Sequence, residues 1–460
     1  MTASHVAISP AEWRPWAAPA TITWLEQGLV IGAFVIFCGT FDTLLTTVAK
    51  PRTEGTPLFQ ALSGGIYLSG IALLLYRGVP RGMVKVLFYS LPLILLVLFA
   101  FASTFWSVSP GTTFRRGVAL VLSSLFAVYV ITRFDARTIF KLLTIAFIVF
   151  IVVGIVAGMI PGVGRTGGWN AYAGSWRGLT GNKNNFGRTL ALAVALLPAA
   201  AAVGLIEWRR LVFLLTPVAL ALLFLSRSAT SLVTAFGSIF VGTAMYVVLG
   251  GRIGRFRLAF GFGLVLGVIG VIVGTLTIVF GWTVILEALG RDPTLTGRTR
   301  LWEWALGLSA ELDRVWLGSG YRTFWVDENT KYFFEDFAWG KDFNGNLSDT
   351  YGGPSHSHSG YVDVIVELGY VGLTVFAAFV FSAVANLRRT LSRGKFDVGF
   401  IFAVILSFLL IYATTAKSIL QQSEDLWFLV TLIYLMSVKE SLLTGAGAIS
   451  STVNPRQADG

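Results

Sequence analysis

The chain has 460 residues, 55% of them hydrophobic and 13% charged, with a mean hydropathy of +0.73. This excludes a soluble globular domain and predicts membrane helices, because backbone polar groups in lipid are satisfied only in helices or closed barrels, and about 20 apolar residues make one helical crossing. The formal charge of +11 is spread over short loops, as orientation signals are, and forms no single patch, which argues against nucleic acid as a partner.

In chain order, Met1–Ala20 has no basic segment followed by an apolar stretch, so the first span is expected to be an uncleaved anchor. The single cysteine, Cys38, rules out an internal disulfide. Apolar length predicts about twelve spans. They lie at 25–48, 58–76, 84–104, 116–132, 138–160, 187–206, 210–226, 229–250, 258–282, 360–385, 398–415 and 425–439. The expected fold is all-α and polytopic, one integral membrane domain over 1–445, with a small polar tail at 446–460 that is disordered.

Alternate loops differ in character. Arg77–Arg81, Arg133–Lys141, Trp208–Arg210, Arg252–Arg257 and Leu387–Lys395 are short and basic, which assigns them and both termini to the cytoplasm. The long loops 161–187 and 283–359 are then expected outside, the side that would be the periplasm if the membrane is a bacterial inner one. The longer one interleaves aromatics (Trp316, Tyr321, Trp325, Tyr332, Trp339) with acids (Asp327, Glu335, Asp342), which suits sugar rings. An interfacial aromatic belt around a small loop core is the plainer reading of the same residues.

Four stretches gather polar groups at the outer boundary. Gly174–Arg188 (Gly-Ser-Trp-Arg-Gly-Leu-Thr-Gly-Asn-Lys-Asn-Asn-Phe-Gly-Arg) offers glycines, a helix start suited to anions, and Arg177, Lys183 and Arg188. Leu225-Ser-Arg-Ser-Ala-Thr-Ser231 places Arg227 on a hairpin, and Thr296-Gly-Arg-Thr-Arg-Leu-Trp302 carries Arg298 and Arg300. Guanidinium groups match phosphate bidentately, whereas any one of them could simply snorkel to headgroups. Pro354-Ser-His-Ser-His-Ser-Gly-Tyr361 holds two of the three histidines, His356 and His358, and histidine titrates near neutrality with an unperturbed pKa of about 6.5. A metal site is the competing reading of His-X-His, but no further histidine or cysteine stands nearby in the sequence.

These motifs, with Leu317-Gly-Ser-Gly-Tyr-Arg-Thr-Phe-Trp325 and Glu367-Leu-Gly-Tyr-Val-Gly372, resemble in kind and order the O-antigen ligase/Wzy-type polymerase superfamily. The Trp-Arg-Gly…Asn-Lys-Asn and His-X-His-X-Gly-Tyr forms look most like its ExoQ-type exopolysaccharide polymerases. The resemblance covers 174–372, with Ser359 standing where the polymerase pattern has Asn. It implies a GT-C-like, metal-independent, inverting glycosyltransferase without cofactor, facing the periplasm and polymerising undecaprenyl-pyrophosphate-linked repeat units. Its partners would be that lipid-linked donor, a sugar acceptor, membrane lipids, a flippase and a chain-length regulator. His358 is the expected base, with Arg298 beside it as a catalytic residue. Arg177, Arg227, Arg298, Arg300 and Lys183 are expected at the pyrophosphate, and His356, Asn184, Tyr321, Trp325 and Tyr361 at the sugars. The alternatives are a ligase moving the glycan to lipid A-core, and a lipid-linked oligosaccharide flippase. A transporter would show ionisable groups in mid-span, for which Asp42, Asp363 and Glu367 are the nearest residues.

Overall fold

The computed structural model describes residues 7–9, 12–13, 20–48, 56–167, 173–250, 298–325 and 356–443. The helices are α1 (Ala20–Phe37), α2 (Asp42–Val48), α3 (Pro57–Arg77), α4 (Gly82–Tyr89), α5 (Leu91–Ala102), α6 (Pro110–Arg133) and α7 (Ala136–Met159). They continue with α8 (Lys183–Ala202), α9 (Arg209–Leu225), α10 (Ala229–Gly250), α11 (Arg298–Glu311), α12 (Gly360–Ser392), α13 (Phe396–Tyr412) and α14 (Asp425–Leu442). Local chemistry sets several starts: Asp135 caps α7 through the Thr138 N–H, and Asn182 caps α8 through the N–H groups of Asn184 and Asn185. Prolines open α3 and α6, where the missing N–H costs nothing.

Each expected span except 258–282 coincides with a helix or a helix pair; that span and the tail 446–460 lie outside the described residues. Among the described residues, α3, α6, α7, α8, α10 and α12 are long and apolar enough to cross a membrane. The pair α4–α5, bent by 70°, would make a seventh. The protein is a polytopic helical membrane protein. Length and composition together support six or seven spans among the described residues and not the twelve expected; α1, α9, α13 and α14, of 17 or 18 residues, are outside that set.

The bundle has an inside and a rim. Helices α13 and α14 are buried almost throughout, and α8 nearly so, which makes them the core. Rim helices present Leu68, Leu75, Phe88, Leu214 and Phe381 outward, an apolar surface fit for lipid chains.

The two ends differ chemically. At one end Glu26 pairs with Arg77 at 2.9 Å and accepts from Arg133 Nε at 2.6 Å, while Lys395 pairs with Glu440 at 3.2 Å. Lys439 Nζ donates to the carbonyl of Ile131 at 2.7 Å, and Ile8 N–H bonds to the Leu442 carbonyl at 2.8 Å. Three of the short basic loops therefore gather here, with the first and last described segments. The polar motifs gather at the other end.

Helix α12 is broken at Gly369, whose φ of 71° is left-handed. The break leaves backbone groups without helical partners, and the segment 315–320 supplies them. Tyr370 and Val371 N–H donate to the carbonyls of Val315 (2.9 Å) and Trp316 (3.1 Å); Ser319 and Gly320 N–H donate to Val366 (3.0 Å) and Glu367 (2.9 Å). The two backbones approach so closely that a Cβ on Gly369 would collide with the Trp316 carbonyl, and one on Gly318 with that of Glu367. The Leu-Gly-Ser-Gly and Glu-Leu-Gly motifs are thus one interlocked unit. Gly369→Val should combine a left-handed penalty with a backbone clash. The expected result is a clearly lower apparent Tm and loss of the monodisperse peak in size-exclusion chromatography.

Candidate active site

The connector before α8 folds on itself. Trp176 lies under the Arg165 guanidinium at 5.3 Å, and Arg177 donates to the carbonyls of Val163 (3.1 Å) and Arg165 (3.4 Å). The first turns of α8 then present two faces. Lys183 Nζ reaches the Arg227 carbonyl at 3.0 Å, and Asn184 Oδ1 accepts from Ser228 Oγ at 3.3 Å. Gly187 sits against Ser226, Ser228 and Ser231, where a Cβ would lie 2.7 Å from Ser228 Cβ. The first two motifs are therefore in contact, with Arg227 in a left-handed conformation (φ 50°) on the turn between α9 and α10. The other face of α8 carries Asn185 and Arg188. Arg188 is taken up by two carboxylates, Glu424 at 2.7 Å and Asp425 at 2.9 Å, so it is an internal ion pair and does not supply a free charge for phosphate.

The remaining motifs meet at the start of α12. Ser359 caps the helix through the Val362 N–H. The preceding turn is fixed on every side. Ser357 N–H donates to Asp363 Oδ1 (3.0 Å), its carbonyl accepts from Trp302 Nε1 (2.8 Å), and its hydroxyl donates to the Ser359 carbonyl (2.7 Å). Gly360 N–H donates to the Ala413 carbonyl at 2.8 Å. His358 adopts φ 59°, a conformation costing a non-glycine residue about 1–2 kcal/mol. Its ring centroid is 4.2 Å from that of His356.

A cavity of about 640 Å³ lies at the same end, between α2, α3, α6, α8 and the connector from α13 to α14. Arg115, Arg116, Arg188 and Arg322 line it, with Asp42, Gln422 and Glu424. Arg322 Nη1 donates to Gln422 Oε1 at 2.8 Å, and its backbone N–H donates to Glu367 Oε2 at 2.9 Å. Arg116 donates to the Arg322 carbonyl. Glu367 also pairs with Lys417 at 2.9 Å. Sequence reasoning missed Arg116 and Arg322 as cavity residues; the signal was an arginine pair opening an outer helix end and the Tyr-Arg of the fourth motif.

The predicted residues divide among these features. None of His356, His358, Arg177, Lys183, Asn184 and Arg227 lines that cavity, although their neighbours Asn185 and Arg188 on α8 do. Tyr321 is 1% exposed, with its hydroxyl against the Leu420 carbonyl and 2.8 Å from Gln422 Oε1, so it backs the cavity wall and offers no face to a sugar. Burial pushes its phenol above the usual range, which leaves it a hydrogen-bond donor. Trp325 Nε1 donates to Asp363 Oδ1 at 2.9 Å, and the Tyr361 hydroxyl donates to the Leu410 carbonyl at 2.8 Å. Arg298 and Arg300 stand in the first turn of α11. The acidic and aromatic stretch from Asp327 to Asp349 lies outside the described residues. Asp42, Asp363 and Glu367 sit at this end of the bundle, among polar neighbours.

Removing the cation from the buried pair tests the core of the site. Arg188→Leu strands Asp425, which is 0% exposed, and should cost about 3–5 kcal/mol. Asp425→Asn added to it should recover part of the loss, both read as shifts in thermal unfolding.

Comparison with known proteins points the same way as the motifs. Residues 211–377 match the family model described as O-antigen ligase. That stretch holds the second to fifth motifs and begins after the first. The exopolysaccharide production protein ExoQ of Rhizobium meliloti (strain 1021) is 26% identical over 303 residues. The alignment covers 65% of this chain and 65% of that relative's length. The resemblance read from the motifs is thus shown on both counts: an O-antigen ligase family match across the site-bearing helices, and similarity to an exopolysaccharide production protein.

Proposed function

We propose that this protein is a glycosyltransferase that polymerises undecaprenyl-pyrophosphate-linked oligosaccharide units into surface polysaccharide at the periplasmic face of a bacterial inner membrane. In this reading the fold is GT-C-like with twelve spans. The observation that carries the proposal is the histidine turn: a left-handed His358, preceded by a Ser357 whose N–H and carbonyl are both held, at the end of the bundle that also carries an arginine-lined cavity.

The chemistry follows from the groups at hand. His358 takes the proton of the acceptor hydroxyl as the new O–C1 bond forms, a contribution of about 10²–10⁴ in rate for a well-placed base. The C1–O bond to phosphate breaks with its electron pair, and undecaprenyl pyrophosphate leaves from the opposite side, inverting C1. Its charge is matched by arginines, Arg227, Arg298 and Arg300 from the motifs and Arg116 and Arg322 from the cavity, with Lys183 and Arg177 behind the first of them. His356, Asn184, Trp325 and Tyr361 border the sugars, where alignment counts as much as basicity. The ligase reading shares donor and residues and differs in acceptor, and the family description favours it as the second possibility.

Purified protein given lipid-linked oligosaccharide, without any gradient, should lengthen the glycan. Movement of the lipid without new bonds would mean a flippase, and product formed only with lipid A-core would mean a ligase. His358→Ala should fold normally and abolish extension; full activity would end the assignment of the base. Arg298→Lys should lower the rate by about tenfold or more, because a point charge does not replace a bidentate fork.

A further inference from the structure

One carboxylate beneath the histidine turn has no part in the chemistry described so far. Asp363, 3% exposed, lies in the first turn of α12. Its Oδ1 accepts from Ser357 N–H at 3.0 Å and from Trp325 Nε1 at 2.9 Å, while its Oδ2 is buried without a hydrogen-bond partner among the described residues. Burying a carboxylate is costly unless it is compensated, and capping does not account for it, since Ser359 already caps the helix. What Asp363 holds is more telling. Ser357 is the residue before His358, so fixing its peptide fixes the direction in which the His358 side chain leaves the backbone. Trp325 closes the segment 319–325, which carries Arg322 to the cavity and packs Trp325 against Phe324 and Trp304. A single oxygen thereby ties the turn bearing the base to the segment bearing an arginine.

We propose that Asp363 is a positioning residue for His358: it sets the left-handed turn through Ser357 N–H and keeps that turn in register with the 319–325 segment through Trp325. The inference rests on His358 being the base. Its action is geometric, so an uncharged acceptor of the same shape can replace it.

The test uses the full chain in lipid nanodiscs with lipid-linked oligosaccharide, measuring kcat, KM and the pH profile. Asp363→Asn keeps the accepting oxygen and should stay within about 3-fold of the parent with an unmoved pH profile, whereas Asp363→Ala should lose on the order of 10²-fold in kcat with KM within about 3-fold. Should the alanine variant fail to fold, Asp363→Ser, whose hydroxyl falls short of both N–H groups, takes its place with the same expectation. Near-parental activity of the alanine or serine variant overturns the proposal, as does an asparagine variant equally inactive or shifted in its pH profile, or a loss confined to KM. His358→Ala run in parallel separates the two claims: full activity there removes the base itself, while an inactive His358→Ala beside an active Asp363→Ala removes only the positioning role.

Discussion

The arrangement depends on a short polar connector running through apolar surroundings, the residues from Ala413 to Asp425 between α13 and α14. Every polar group buried there needs a partner, and the partners come from both halves of the site. The Ala413 carbonyl receives Gly360, that of Leu420 receives Tyr321, Gln422 receives Arg322, and Glu424 with Asp425 receives Arg188. Ser423 meets the Tyr67 hydroxyl of α3 at 2.6 Å. Leu420 and Ser423 both adopt left-handed backbone conformations, which is what a chain does when side-chain partners on several sides dictate its path. The α8 region and the α12 region are both fastened to this third element.

Much of the bundle was legible from apolar runs, because a helix in lipid leaves its signature in length and composition alone. Helices α3, α6, α7, α10 and α12 appear close to where hydropathy puts them. What hydropathy does not register is whether an apolar helix faces lipid or protein, so α13 and α14, enclosed on all sides, read like crossings of ordinary length. The break at Gly369 was equally hidden, since an apolar run continues across it without change.

The site was legible in pieces. Glycines, arginines and histidines at helix ends mark where backbones approach or charges collect, and the five motifs do assemble at one end. Their partners were another matter. Arg188 looked like a phosphate ligand until Glu424 and Asp425, more than two hundred positions away, were seen to neutralise it. Tyr321 looked like a stacking surface but turns inward to a backbone carbonyl. Asp363 and Glu367 looked like charges inside a span, but the helix carrying them is interrupted just beyond, which leaves them among polar neighbours. Sequence spacing carries local geometry; it does not carry long-range pairing.

The interruption of α12 has a mechanical consequence. The residues from Gly360 to Leu368 are fastened to the segment at 315–320 and to the connector at Ala413, while α12 continues beyond Gly369 into the bundle. A membrane of different thickness tilts the spans embedded in it. The break at Gly369 is bridged by the 315–320 segment from both sides, through Tyr370 and Val371 as well as Ser319 and Gly320, so such a tilt is shared with that segment and not carried by α12 alone.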